Sequence, residues 1–441
     1  MSNRVFVLDT NRNPLMPTHS ARARQLLRSG RASVFRKAPF TIILHDRTVE
    51  ESEAQPVRAK VDPGSRTTGL ALVADFARQG PTAVWAGELH HRGEAIRKAL
   101  ADRRAHRRNR RALKTRYRKP RFLNRRRPEG WLPPSVRHRV ETTATWIERL
   151  RRWSPVTALS LERAKFDTQL LENPDIEGAQ YQQGTLAGYE LREYLLLRHA
   201  HTCAYCEGLS GDPVLEREHV HPASRGGSDR VANQVIACRT CNAAKGNRTA
   251  GEWAEALKRR TKLERTRKAN AKAVQAGQRP SLKDAAAVNA VRNALAERLR
   301  ATGLPVEWGT GGRTKFNRVR LGLPKAHWID AACVGASGEA VRLDPGQRPL
   351  AIAATGHGER RRALLDRNGF PRGHKPRARS FRGFRTGDRV KVAGGKARGR
   401  AGRLGIRFRP SFALDTGRGR IDGVHPDHLI VQQRSDGYAY A

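Results

Sequence analysis

Acidic residues, cysteine and long apolar runs are all scarce in this sequence, and each scarcity removes a class of protein. Only 41 aspartates and glutamates stand against 86 lysines and arginines, a formal net charge of +45 over 441 residues. A charge of that size opposes compaction unless a polyanion offsets it, and nucleic acid is the obvious polyanion. Charge alone leaves two classes open, an architectural or ribosomal protein and an enzyme acting on nucleic acid. The five cysteines are too few for a disulfide framework. Four of them form two C-x-x-C pairs, Cys203/Cys206 and Cys238/Cys241, the spacing of a structural zinc site in a reducing compartment. Cys333, alone in the apolar stretch AACVGA, reads as a small buried hydrophobe. No run approaches the ~18 apolar residues needed to cross a bilayer. The expected protein is soluble and cytoplasmic, with no membrane partner. No solenoid period is present either, and the length suits two to four domains.

What is there falls into segments. Residues 1–54 read as a small α/β unit: strand VFVLD, a turn holding NPLMP, a helix HSARARQLLRSG closed by Gly30, then strands SVF and FTIIL. From Val57, KVDPGSRTTGLALVAD gives two strands around a Pro-Gly turn, and AVWAGEL gives a third. Between Arg92 and Arg127 lie 17 lysines or arginines against only Glu94 and Asp102, in good helix formers. A helix polar on every face has no core to hold it and must be solvated or packed against charge. Arg103, Arg104, Arg107, Arg108, Arg110, Arg111 and Arg116 are the candidate phosphate contacts, because the planar guanidinium fork suits phosphate. SVRHRVETTATWIERLRRW then reads as an amphipathic helix, and VTALSLERAKFD as a buried strand ending in a carboxylate. Strand-like PVEWG and a helix around AHWIDAACVGA resume the sheet after the cysteine-framed insertion. From about Pro371 an Arg- and Gly-rich stretch with short strands such as DRVKV, GRLGIRF and HLIVQQ reads as a small basic β module.

Two constellations carry chemistry. Within the cysteine frame, Glu218-His219 is followed by Asn233 and, directly after the last cysteine, Asn242. Four thiolates fill a tetrahedral Zn²⁺, so that ion is scaffolding and catalysis must come from other residues. Phosphodiester hydrolysis needs a base and a hard divalent cation. Neutral imidazole of His219 fits the base; Glu218 and Asn242 fit a Mg²⁺ or Mn²⁺ ion; Asn233 fits a loop brace through backbone hydrogen bonds. His221 reads as structural or phosphate-facing. A zinc ribbon that merely binds nucleic acid would need neither the Glu-His pair nor Asn242. The second constellation is split along the chain: Asp62 and Glu162 at strand ends, His327 and Asp330 one helical turn apart on a late helix. Brought together, such acids would hold a pair of divalent cations; taken singly, Asp62 before Pro-Gly is an ordinary turn residue.

The order His219, Asn233, Asn242 inside cysteines resembles the HNH, or ββα-metal, nucleases, with Glu218 standing where Asp is commoner and lengthening the ligand arm. The pieces KVDPGSRTTGLAL, ALSLERAKFD and AHWIDAA resemble the three parts of a RuvC-type RNase H fold. With the arginine-rich helix, the insertion, and NPLMP, YQQGTLAGYELREYLL and GHGERRRALLDRNGFP, the sequence is similar to the IscB family of transposon-encoded RNA-guided nucleases. The resemblance implies a multidomain α/β architecture: an N-terminal domain over 1–54, RuvC-like parts at 55–90, 131–184 and 261–370 (the last including connecting helices), a bridge helix at 91–130, an HNH module with zinc at 185–260, and a basic β module at 371–441 that reads a target-adjacent motif. It also implies a guide RNA encoded near the gene, a double-stranded DNA target, one protein copy per RNA, a nucleoid-associated prokaryotic location, and HNH cutting of the guide-complementary strand with RuvC-like cutting of the displaced one. A guide-independent DNA nuclease and a non-cleaving RNA-binding transposon regulator are the alternatives.

Overall fold

The computed structural model describes residues 3–112, 128–163, 189–227, 229–258, 260–277, 283–355, 363–368, 370–374, 380–407 and 411–441. Arg116 and the YQQGTLAG and GHGERRR segments lie outside them. The described chain forms two compact units, residues 1–164 with 290–441 and residues 165–289.

The first unit opens with a four-stranded sheet of β1 (Val5–Leu8), β2 (Pro14–Thr18), β3 (Ala32–Arg36) and β4 (Thr41–Leu44), in the order β2-β1-β4-β3. The helix α1 (Ser20–Arg28) covers one face with Ala23 and Leu26. The NPLMP segment, expected as a turn, is instead mostly strand. Its two prolines are tolerated because β2 is an edge strand whose register shifts between its pairings with Val5 and Val7, so few of its N–H groups are needed by a neighbour.

Around β5 (Val57–Asp62), β6 (Thr67–Phe76) and β7 (Gly80–His90) grows the main sheet. After the exposed helix α2 (Gly93–Ala112) and the amphipathic α3 (Pro134–Trp153), β8 (Val156–Glu162) lies parallel to β5. Past the second unit, β11 (Val306–Gly309) lies parallel to β8, and β12 (Leu350–Ala354) lies parallel to β7. A strand at Tyr438–Tyr440 completes the order β11-β8-β5-β6-β7-β12-(438–440). One face packs on α3 through Trp85, Trp146 and Trp153, with Trp85 and Trp146 stacked at 6.4 Å. The other carries α9 (Gly311–Arg320) and α10 (His327–Ala332), whose Trp328, Ile329 and Ala332 bury against Ala71, Val73 and Ala86. Toward the C-terminus, Arg389–Val392, Ala401–Gly405, Phe412–Asp415, Arg420–Val424 and Leu429–Gln433 form a five-stranded antiparallel sheet with its own core of Val390, Leu404, Phe412 and Leu414.

The second unit begins with α4 (Tyr189–Arg198). The hairpin β9 (Leu215–His219) and β10 (Gln234–Cys238) pairs His219 with Gln234 and is followed by α5 (Arg239–Lys245), α6 (Ala250–Ala256) and α7 (Lys262–Gln275). The core of this module includes Ala271 on α7 beside the four cysteines, so it extends past the expected boundary at residue 260. The helix α8 (Lys283–Arg300) starts in this unit and belongs to the first from Ala290 onward.

Candidate functional site

The register of the main sheet brings the split acids together. Val61 pairs with Leu161 on the neighbouring parallel strand, so Asp62 and Glu162 are the next residues on adjacent strands. Asp62 also pairs with Gly69, and a side chain at Gly69 would collide with the His327 carbonyl. Glycine there lets α10 lie down on the sheet at the level of Asp62. Burial, then the fields of Glu162 and Asp330, raise the Asp62 carboxyl well above the ordinary carboxylate range. Glu162 and Asp330 are thus both near enough for their charge to act on Asp62.

Basic side chains converge on them. Arg292 of α8 stands 2.5 Å from Glu162, with both side chains buried. Arg318 and Lys325 each reach Asp330 at 2.9 Å. His327 is exposed at the start of α10, yet partial desolvation of its ring holds it below its usual range, against the opposing field of Glu88 and, more weakly, Asp330. Hard carboxylate oxygens that raise one another's proton affinity suit a divalent cation, because such an ion relieves the repulsion without a proton. They are not packed as tightly as the thiols: among the described residues only Cys203, Cys206, Cys238 and Cys241 have all ligand atoms within 4.8 Å of one another.

Those four cysteines fit zinc. A tetrahedron with Zn–S bonds of about 2.3 Å has S···S edges of about 3.8 Å, and Cys206 Sγ lies 3.8 Å from Cys238 Sγ. The backbone N–H groups of Tyr205 and Cys241 donate to Cys203 Sγ and Cys238 Sγ, each at 3.4 Å. All four cysteines are buried.

The hairpin carries the remaining candidates. His219 Nε2 is 2.7 Å from Asp229 Oδ1, and the Gln234 amide donates to the same carboxylate at 3.1 Å. The Asn233 side chain accepts from the His221 N–H and donates to the His221 carbonyl, both at 2.9 Å, clamping the loop after His219. The expected grouping of Glu218 with Asn242 takes a different form here. Glu218 turns inward to the buried Lys245 at 2.5 Å, with burial raising its carboxyl, while Asn242 donates to Glu216 at 2.9 Å. Glu216 and Glu218 share a face of β9, and Asn242 and Lys245, one turn apart on α5, share a helix face, so the two pairs meet in register, Glu216 with Asn242 and Glu218 with Lys245.

Of the arginine-rich segment, α2 carries Arg103, Arg104, Arg107, Arg108, Arg110 and Arg111, and apart from Gly93 none of its residues is buried. Four residues that matter to these sites were not singled out by sequence: Arg292, Lys245, Asp229 and Lys60. Arg292 had a signal, a lone arginine in the apolar stripe of Val288, Val291 and Leu295. Lys60 had one too, a charge in the middle of a strand on the face of Asp62. Asp229 in GGSDR looks like any turn residue.

A family model described as RRXRR protein matches residues 5–184, and the run Arg107-Arg108-Asn109-Arg110-Arg111 stands within it. A second, described as HNH endonuclease, matches residues 203–257. The inserted module thus matches an HNH endonuclease over residues 203–257. No curated protein matches. Among solved structures, the chain is similar to Streptococcus thermophilus Cas9 in complex with the AGAA PAM, at 14% identity and a TM-score of 0.24, over 62% of this chain and 32% of that one. It is also similar to the type II-C Cas9 enzyme from Actinomyces naeslundii, at 16% identity and a TM-score of 0.18, over 46% and 23%. The chain thus spans a third or less of the length of these structures. Among the described residues no helix is long and apolar enough to cross a membrane.

Proposed function

We propose that this HNH nuclease is an RNA-guided DNA endonuclease of the IscB kind, with two hydrolytic centres, one for each strand of a target duplex. The observation that carries the reading is the meeting of Asp62, Glu162 and Asp330 in a chain that already holds an endonuclease domain. A second acid cluster is superfluous in an enzyme that nicks one strand. The RNA part rests on α2, whose exposed arginines have no core to serve and suit a phosphate backbone. Base pairing by a guide would then choose the sequence while the protein grips backbone. Zinc is structural, and Mg²⁺ or Mn²⁺ serves both centres.

In the HNH centre, His219 is the general base. With Nε2–H donating to Asp229, the lone pair is left on Nδ1 to take the proton of the attacking water. Asp229 fixes the orientation of the ring. Asn233 holds the loop, and Glu218 and Asn242 would hold the hard cation on giving up Lys245 and Glu216, their partners in this structure. In the second centre Asp62, Glu162, Asp330 and His327 are the ligands, with Asp62 deprotonated once a cation offsets its neighbours. A divalent cation bound at either centre stabilises charge on the leaving oxygen.

The test is strand-resolved cleavage by protein purified with its RNA. His219→Ala should cut only the displaced strand and Asp62→Ala only the guide-complementary one. Loss of both cuts from either change refutes two independent centres. Sequencing the copurifying RNA should reveal a constant scaffold joined to a variable guide; cutting by protein freed of RNA would favour a guide-independent nuclease.

A further inference from the structure

A metal centre with four thiolates carries a net charge of two minus, and burying it in protein needs an answering charge. A buried cation touches the four-cysteine cluster. Arg267, 9% exposed, directs its Nε–H at Cys241 Sγ across 3.1 Å. Its Nη2 is buried with no hydrogen-bond partner among the described residues. An arginine held in a core with one amino group unpartnered is costly unless a neighbouring anion compensates.

Arg267 lies on α7, beyond the residues matched by the HNH family model. The same face of that helix reaches the other C-x-x-C turn: Asn270 Nδ2 donates to the Tyr205 carbonyl at 3.1 Å and to Glu207 Oε1 at 3.1 Å. Ala271 is fully buried in the core that contains all four cysteines. The helix start is fixed by a reciprocal capping box between Thr261 and Glu264. One helix therefore grips both halves of the metal centre, through Arg267 at the second pair and Asn270 at the first.

We propose that Arg267 is a built-in counter-charge for the zinc centre, and that α7 is a functional part of that centre. The guanidinium offsets half of the cluster's charge and draws electron density from the Cys241 sulfur. That thiolate is then a poorer nucleophile, slower to be alkylated and slower to give up its ion to a competing chelator.

The experiment uses the full-length zinc-loaded protein and measures retained zinc after rapid desalting, against time with excess chelator at neutral pH. Arg267→Met should lose zinc to chelator roughly ten- to a hundredfold faster, the range for a hydrogen bond to a charged group. Arg267→Lys, which keeps the charge but not the planar fork, should fall between. A thermal melt of each protein, zinc-loaded and zinc-stripped, separates this role from plain packing. Arg267→Met should lower the melting temperature of the loaded form and spare the stripped form, in which no zinc–thiolate cluster answers the buried cation. Equal losses in both forms, or unchanged release by Arg267→Met, overturn the proposal. None of these readouts depends on nuclease activity.

Discussion

Replacing Arg292 with methionine isolates the electrostatics of the acid cluster. The guanidinium and the Glu162 carboxylate are 2.5 Å apart and buried. At an effective dielectric of 20 such a pair attracts by about 7 kcal/mol, most of which desolvation consumes. Removing one partner of a buried pair typically costs ~3–5 kcal/mol, because the other charge is stranded. Asp330 keeps Arg318 and Lys325, which places the expected loss near the lower end, about 3 kcal/mol. Arg292 also holds Asp62 down, so its removal raises that carboxyl further. An acid whose folded-state pKa is raised binds more protons in the fold, so stability falls as pH rises through the window between the unfolded and folded values. The variant should show that fall more steeply than the parent. Millimolar Mg²⁺ or Mn²⁺ supplies the positive charge again and should restore the variant more than it stabilises the parent. Denaturant unfolding of the full chain with and without divalent ions measures both effects. The reasoning is refuted if divalent ions leave the deficit untouched and adding Glu162→Gln to Arg292→Met brings no recovery.

Burial holds His91 neutral, down to about 3, between Thr68 and Thr142. Because its ordinary value is 6.5, the fold costs nothing above that pH and loses stability as pH falls, by about 2 kcal/mol at pH 5; His91→Gln should flatten this limb of an acid-unfolding curve. Lys60, lowered to about 8 by burial, donates to the Ala332 and Val334 carbonyls at the end of α10. Its fold binds fewer protons than the unfolded chain between about 8 and 10.5, so stability should rise over that span. Lys60→Met should abolish the rise while costing ~1–3 kcal/mol at neutral pH through two unsatisfied acceptors. Asp229→Asn should slow guide-complementary cutting on the order of ten- to a hundredfold and leave displaced-strand cutting alone; equal slowing of both strands would show that it acts on binding instead.

Much of both sites was legible because it is local. Two C-x-x-C spacings announce the thiol cluster, and His327 with Asp330 share a helix face whatever surrounds them. Strand-end positions for Asp62 and Glu162 followed from patterning, since apolar residues recur among polar ones through VRAKV and VTALSL up to each acid. What stayed hidden is non-local. The strands Leu350–Ala354 and Tyr438–Tyr440 are short and far apart, and become strands only because β7 offers an edge to the first and the first offers one to the second. Proline misled at NPLMP, where position at a sheet edge outweighed its missing donor. The partners Arg292 and Lys245 answer acids far from them in sequence or on another element, and neither has a motif of its own.

The strands β8 and β11 lie side by side, Leu159 opposite Val306, although more than a hundred residues separate them. Whatever leaves the sheet at one strand re-enters it next door, so topologically the whole HNH domain is a loop. Lengthening a loop is cheap, about 0.6 kcal/mol for each doubling. A sheet with such a doorway can exchange its passenger for another folded body, or for a short tether, without losing register; what the exchange must preserve is the returning helix, because Arg292 rides on it.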